Sequence, residues 1–177
     1  MTLLQPLQIR DATAADLPAI NAIYNHYVLH STCTYQEDPS TDEERSVWFA
    51  AHDAAHPVTV AVAPAAAPGG EVVAWASLSR FHPRAAYRHT VEDSVYVRHD
   101  LHGRGIGSAM LADLLARAES LGHRSVVALV SADQPASVAL HRKHGFAEAG
   151  RLREVGHKFG RWLDVVYLQR LIPPRPP

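Results

Sequence analysis

Residues 95–108 read Val-Tyr-Val-Arg-His-Asp-Leu-His-Gly-Arg-Gly-Ile-Gly-Ser, an apolar strand-like run that gives way to glycine at alternate positions. Beyond it Met110, Leu111, Leu114, Leu115 and Ala118 recur at three and four residues, one face of a helix over Gly105–Leu121. The segment is therefore a strand, a glycine-rich turn and a helix. Gly103, Gly105 and Gly107 carry no Cβ, so the backbone there can approach a ligand closely. The helix opens with unpaired N–H groups and a partial positive charge, which together suit an anion, and Arg104 adds a full charge. The same glycines also suit an ordinary turn. Two familiar phosphate loops are excluded. A Rossmann fingerprint follows the first strand and needs GxGxxG with an acid about twenty residues on, and a Walker loop needs Gly-Lys-Ser/Thr. Here the turn follows the fourth strand-like run.

The rest of the chain alternates strands and helices. Gln5–Arg10 sets Leu7 and Ile9 among polar neighbours, a short strand. Thr13–Asp16 is a near capping box before a helix bearing Leu17, Ile20, Tyr24, Tyr27 and Val28, and Thr41–Glu44 opens a second helix with Trp48 and Phe49. Val58–Val62 and Glu71–Leu78 are strands joined by the turn-rich Ala63–Gly70, which suggests a hairpin, and Thr90–Val97 is a further strand. Ser125–Val130 is a continuous β-branched run, as in a strand buried on both faces. Ser137–His144 is a short helix stopped by a left-handed Gly145, Leu163–Leu171 is the last strand, and 173–177 is a frayed Pro-rich tail. The order β-α-α-β-β-β-α-β-α-β predicts a mixed α/β sandwich.

Composition narrows the class. The 177 residues suffice for one domain over 1–177, with its core at about 7–171. Apolar residues are 47% and charged residues 20%, as in a soluble globular chain, and the net charge of −1 argues against nucleic acid or a membrane surface as partner. Cys33 is alone, so no internal disulfide and no zinc-holding CxxC pair is expected, and no metal. The N-terminus lacks a signal-like apolar stretch, which points to the cytoplasm. Twelve histidines are unusually many. His52, His56, His99 and His123 are expected at the surface or in loops.

The loop His102-Gly-Arg-Gly-Ile-Gly107 resembles the Gln/Arg-x-x-Gly-x-Gly/Ala pyrophosphate loop of GNAT-superfamily N-acetyltransferases, with His102 in the first position. Further segments resemble the phosphinothricin and methionine-sulfoximine acetyltransferases within it: Ile9–Ala12, Ile23–Asn25, Thr90–Val97, Ser137–His141, His144–Phe146 and Gly156–Asp164. This resemblance implies a mostly antiparallel central sheet, splayed at its fourth and fifth strands and flanked by helices. It implies acetyl-CoA as co-substrate, its pantetheine against Val95, Tyr96 and Val97 and its pyrophosphate in Gly103, Arg104, Gly105, Ile106, Gly107 and Ser108. Gln134, where such enzymes usually have Asn, and Ser137 complete that site.

Acetylating an amine needs a base, because at neutral pH most of the amine is ammonium. Glu92 is a charged residue within an apolar strand, either solvated at an edge or a site carboxylate, and the resemblance makes it the base. Glu92, Ser94 and Tyr96 share one strand face, while Val91, Asp93, Val95 and Val97 share the other. His141 stands where many GNAT enzymes place a tyrosine acid, and imidazole titrates near working pH. By itself it reads as an ordinary helix residue. For an amino-acid-like acceptor the resemblance implies Glu92, Asp93 and Ser94, with Tyr35 on a second wall beside Thr32, Thr34 and Gln36. Arg84, His82 and Tyr87 lie on the preceding loop, where an arginine could grip a carboxylate with two hydrogen bonds. A homodimer is expected, with Trp162 at its contact, covering the core or covering the substrate entrance. The alternatives are acetylation of protein N-termini or lysines, a non-catalytic acetyl-CoA-binding module, and a thiol nucleophile at Cys33, which lacks a partner motif.

Overall fold

The computed structural model describes residues 7–64 and 70–173. Eleven elements follow in order: β1 (Gln8–Asp11), α1 (Leu17–His30), α2 (Asp42–Ala50), β2 (Val58–Ala63), β3 (Glu71–Arg80), β4 (Thr90–Val97), α3 (Ile106–Ser120), β5 (Ser125–Ser131), α4 (Pro135–Lys143), β6 (Ala147–Lys158) and β7 (Arg161–Leu171). The strands form one seven-stranded sheet in the order β1-β2-β3-β4-β5-β7-β6. Every neighbouring pair is antiparallel except β4–β5.

Helices cover both faces. On one, α3 buries Met110, Leu111 and Leu114 against Val73, Val91 and Val126. Each such side chain contributes roughly 1.5–3 kcal/mol, so the stripe holds the helix more than its propensity does. On the other face, α1 and α2 enclose Ile20, Tyr27, Val60 and Trp75. The Thr41 capping box is formed, with Glu44 N–H donating to Thr41 Oγ1 at 3.1 Å and Thr41 N–H to Glu44 Oε2 at 2.8 Å. Gly145 ends α4 in the left-handed region, φ 82.

The parallel pair positions the site. β4 pairs with β3 along Val91–Val97, but with β5 only at Thr90–Glu92 against Ser125–Val127. From Asp93 onward β4 has no ladder partner on the β5 side, so the sheet opens there. Leu129, in the otherwise buried β5, is 38% exposed because it faces this opening.

Several expectations need correction. The strand β6 has no counterpart in the sequence reading, because eleven of its twelve residues lie outside the core and leave no alternation to detect. Pairing with β7 alone holds it, with irregular register at Glu148/Gly150 and Leu152/Gly156. The last strand begins at Arg161 and α4 at Pro135, earlier than expected. His56 and His123 are buried: His56 Nδ1 lies 2.7 Å from Asp53 Oδ1, and His123 Nε2 lies 2.7 Å from the Ala55 carbonyl. Trp162 is 65% exposed, so it does not cover the core. Gln5, the middle of the Ala63–Gly70 link and the tail 174–177 lie outside the described residues.

Candidate active site

A cavity of about 1060 Å³ occupies the opening between β4 and β5. At one end it is walled by Gly103, Gly105, Ile106, Gly107 and Ser108; along it lie Val95, Tyr96 and Val97; and deeper come Glu92, Asp93, Ser94, Tyr35, Gln134, Ser137 and His141. The opening therefore joins residues from both faces of β4 into a single space. Arg104 is exposed at the mouth and is not among the lining residues. His82, Arg84 and Tyr87 are also outside the lining, on the loop before β4, where Arg84 N–H donates to His82 Nδ1 at 3.2 Å and Tyr87 is 43% exposed.

The glycine cradle has the backbone its residue types suggest. Gly103 and Gly105 adopt φ of 73 and 82, the left-handed region that side-chain-bearing residues avoid. Gly105 directly precedes α3, and a Cβ there would meet no protein atom within 4 Å, so the space above it is open. The unpaired N–H groups of α3 and this bare backbone fit a pyrophosphate. Ser108 Oγ is tied to His144 Nε2 at 2.8 Å. His102 turns back onto α1, with Nε2 2.5 Å from Tyr27 Oη, and Tyr27 donates to the Val97 carbonyl.

Glu92 is partly buried with no hydrogen-bond partner among the described residues. Burial pushes its carboxyl pKa up, and the neighbouring Asp93 charge adds to this. On the opposite strand face Asp93 and His141 form a sealed pair, with Nε2 3.0 Å from Asp93 Oδ2 and side-chain exposures of 6% for His141 and 1% for Asp93. His141 Nδ1 lies 2.7 Å from the Ser137 carbonyl. Both partners can accept a hydrogen bond, an arrangement that favours the protonated ring. Burial alone would lower its pKa, but the bonds to Asp93 and Ser137 outweigh burial and raise it. Asp93 Oδ1 is buried without a partner among the described residues.

The far wall is the segment after α1. Lys158 Nζ, from the end of β6, donates to the Ser31 and Thr34 carbonyls at 2.8 and 2.7 Å. Tyr35 Oη reaches Ser131 Oγ and the Asp164 carbonyl, both at 3.1 Å. Gln134 Nε2 donates to Thr32 Oγ1 at 2.8 Å, so its amide braces this wall. Cys33 lines the cavity half-buried, and burial raises its thiol pKa, which disfavours the nucleophilic thiolate. Arg45, Tyr24 and Trp75 also line the cavity, and sequence reasoning passed over them as helix and core residues. Among the described residues no group of three or more His, Cys, Asp or Glu is placed to hold a metal, and no helix is long and apolar enough to cross a membrane.

The model of the acetyltransferase (GNAT) family matches residues 20–146. The L-methionine sulfoximine/L-methionine sulfone acetyltransferase of Pseudomonas paraeruginosa is 43% identical over 94% of this chain and 95% of its own length. The phosphinothricin N-acetyltransferase of Alcaligenes faecalis is 42% identical over 88% of this chain and 77% of its own. A crystal structure of a GNAT-superfamily phosphinothricin acetyltransferase from Sinorhizobium meliloti, in complex with AcCoA, superposes with a TM-score of 0.88 at 38% identity, covering 95% of this chain and 89% of that one.

Proposed function

The chain belongs to the acetyltransferase (GNAT) family, and from that premise we propose that it moves an acetyl group from acetyl-CoA to the amine of a small amino acid or amino-acid analogue. The observation that carries this reading is the single cavity in which the glycine cradle, the open edge of β4 and Glu92 meet. The cradle and α3 would hold the pyrophosphate, and the unpaired edge of Val95 and Tyr96 the pantetheine. Bound there, acetyl-CoA supplies an activated thioester. Glu92 takes the proton that the acceptor amine must lose, and its raised pKa makes it a stronger base than an exposed carboxylate. Asp93 and the Ser137 carbonyl flank both nitrogens of His141 and favour its protonated form in the cavity wall. The relatives act, by name, on methionine sulfoximine, methionine sulfone and phosphinothricin, which favours a small acceptor over a protein terminus.

A free-thiol assay with acetyl-CoA across amino acids and their analogues tests the reading. Turnover with amino acids is expected; turnover only with peptides, or acetyl-CoA binding without turnover, would refute it. We place the enzyme in the cytoplasm as one domain and a homodimer, without nucleic-acid or membrane partners. The exposed Leu152, Val155, Phe159 and Trp162 of the β6–β7 hairpin support a contact between copies. Light scattering should then give twice the chain mass at micromolar concentration, and a monomer would count against it.

The cradle makes its own prediction. Gly105→Val forces a β-branched residue to φ 82 and puts its side chain into the space open above the loop. Calorimetric titration should show acetyl-CoA affinity reduced at least about 10-fold, beyond the effect of Arg104→Ala, whose exposed charge is screened. Undiminished affinity in Gly105→Val would remove the cradle from the site.

A further inference from the structure

Arg45 is 4% exposed, yet among the described residues no carboxylate pairs with it. Its neighbours in composition behave differently: Arg10, Arg98, Arg117 and Arg151, all more exposed, each hold an acid. Arg45 Nε donates to Asn21 Oδ1 at 3.2 Å and Nη2 reaches Ser40 Oγ at 3.4 Å, both neutral acceptors, while Nη1 has no partner among the described residues. The guanidinium carbon lies 4.4 Å from the Tyr24 ring centroid, 4.7 Å from that of Trp48 and 5.7 Å from that of Trp75. Ring faces attract a cation, but they offset only part of what removing it from water costs. Desolvation accordingly lowers the Arg45 pKa, with the Tyr24 and Tyr96 hydroxyls acting weakly against it. Beside it, Trp75 is 2% exposed and its indole N–H is a second donor without a partner among the described residues.

This donor-rich corner lines the same cavity as Glu92. One wall thus offers a carboxylate and another an uncompensated guanidinium. An amino acid is the complementary shape in charge, an ammonium with an oxyanion on the same small frame. The loop arginine Arg84, by contrast, lies outside the cavity lining.

We propose that Arg45 sets acceptor specificity by receiving an oxyanion of the acceptor, a carboxylate or a phosphinate, while Glu92 serves the amine. The assignment rests on the amino-acid acetyltransferase reading above. The planar fork of Arg45 suits two parallel hydrogen bonds to such a group, which a lysine at the same position cannot make.

The test compares wild type, Arg45→Lys and Arg45→Gln on three acceptors: an amino acid with an anionic side chain, its α-methyl ester, and an amino acid with a neutral side chain. The KM for the oxyanion-bearing acceptor should rise roughly 10- to 150-fold in Arg45→Gln, the loss of one charge-assisted hydrogen bond, with kcat and the acetyl-CoA KM changed only a few-fold. If the α-carboxylate is the partner, the ester escapes the penalty. If the side-chain oxyanion is, the neutral side chain escapes it. A penalty equal across all three acceptors, no penalty, or a penalty in Arg84→Lys without one in Arg45→Lys overturns the assignment. Should Arg45→Gln fail to fold, Arg45→Lys keeps a cation among the rings and carries the same comparison. Wild type that acetylates no amino acid overturns the proposed function and this inference together; wild type that does, beside Arg45 variants indifferent to the oxyanion, overturns the inference alone.

Discussion

Glu92→Gln is expected to lower kcat by about 10²-fold or more, the scale of losing a general base, without weakening the fold. Burial, and after it the Asp93 charge, raise the Glu92 pKa. As a base it must be deprotonated, so the wild-type rate should climb with pH through that raised value, and the variant should lose this limb. The stability argument has the opposite sign. A carboxyl whose folded pKa is raised holds its proton more tightly in the folded state, so its contribution declines as pH climbs from the unfolded value through the folded one. Above that window the ionised Glu92 is a liability that neutral Gln removes, and the variant should melt no lower than wild type at pH 8. A rate loss with an unchanged acidic limb would sink the assignment, and a lowered melting temperature would make the loss structural.

Asp93→Ala should have the largest effect on stability. It leaves His141 buried beside the Ser137 carbonyl with no counter-charge, and removing one partner of a buried pair costs about 3 kcal/mol or more. For a chain of this size that lowers the melting temperature by roughly 6–12 °C. The pH dependence separates this from a simple cavity. His141 gains a raised pKa on folding, so its share of stability is complete below the unfolded value of about 6.5 and is lost as pH rises through the folded one. The gap between wild type and Asp93→Ala should be widest near pH 6 and narrow in alkaline solution. A gap constant from pH 5.5 to 9 would mean that the pair is not ionic. Both His141 nitrogens are engaged, so the ring can pass on a proton only by loosening its contact with Asp93 or with the Ser137 carbonyl, and His141→Ala should cost less in kcat than Glu92→Gln.

Local physics made part of this site legible. Alternate glycines between a β-branched run and a 3.6-period stripe have few uses other than a turn with left-handed residues, and Gly103 and Gly105 adopt that backbone. Strand alternation placed Glu92 and Asp93 on opposite faces, as they are. The edge strand β6 was invisible because a strand that buries almost nothing has no alternation to show. His56 and His123 looked like loop residues because what buries them is the packing of two loops far apart in sequence, with His123 Nε2 against the Ala55 carbonyl.

The sequence by itself determined the α/β order as far as α4, the phosphate-suited turn and the adjacent acids of β4, because each follows from the conformational limits of residues near one another in the chain. Only the tertiary structure decided that β4 and β5 part after three paired residues, merging both faces of β4 into one cavity. It also decided that Asp93 and His141 close on each other across 48 residues, and that Arg45 lies among rings from α1, α2 and β3 with no acid paired to it among the described residues. In the chain, Arg45 follows three acidic residues and reads as solvated. Its desolvation and its missing partner are properties of packing between distant elements, and no local pattern encodes them.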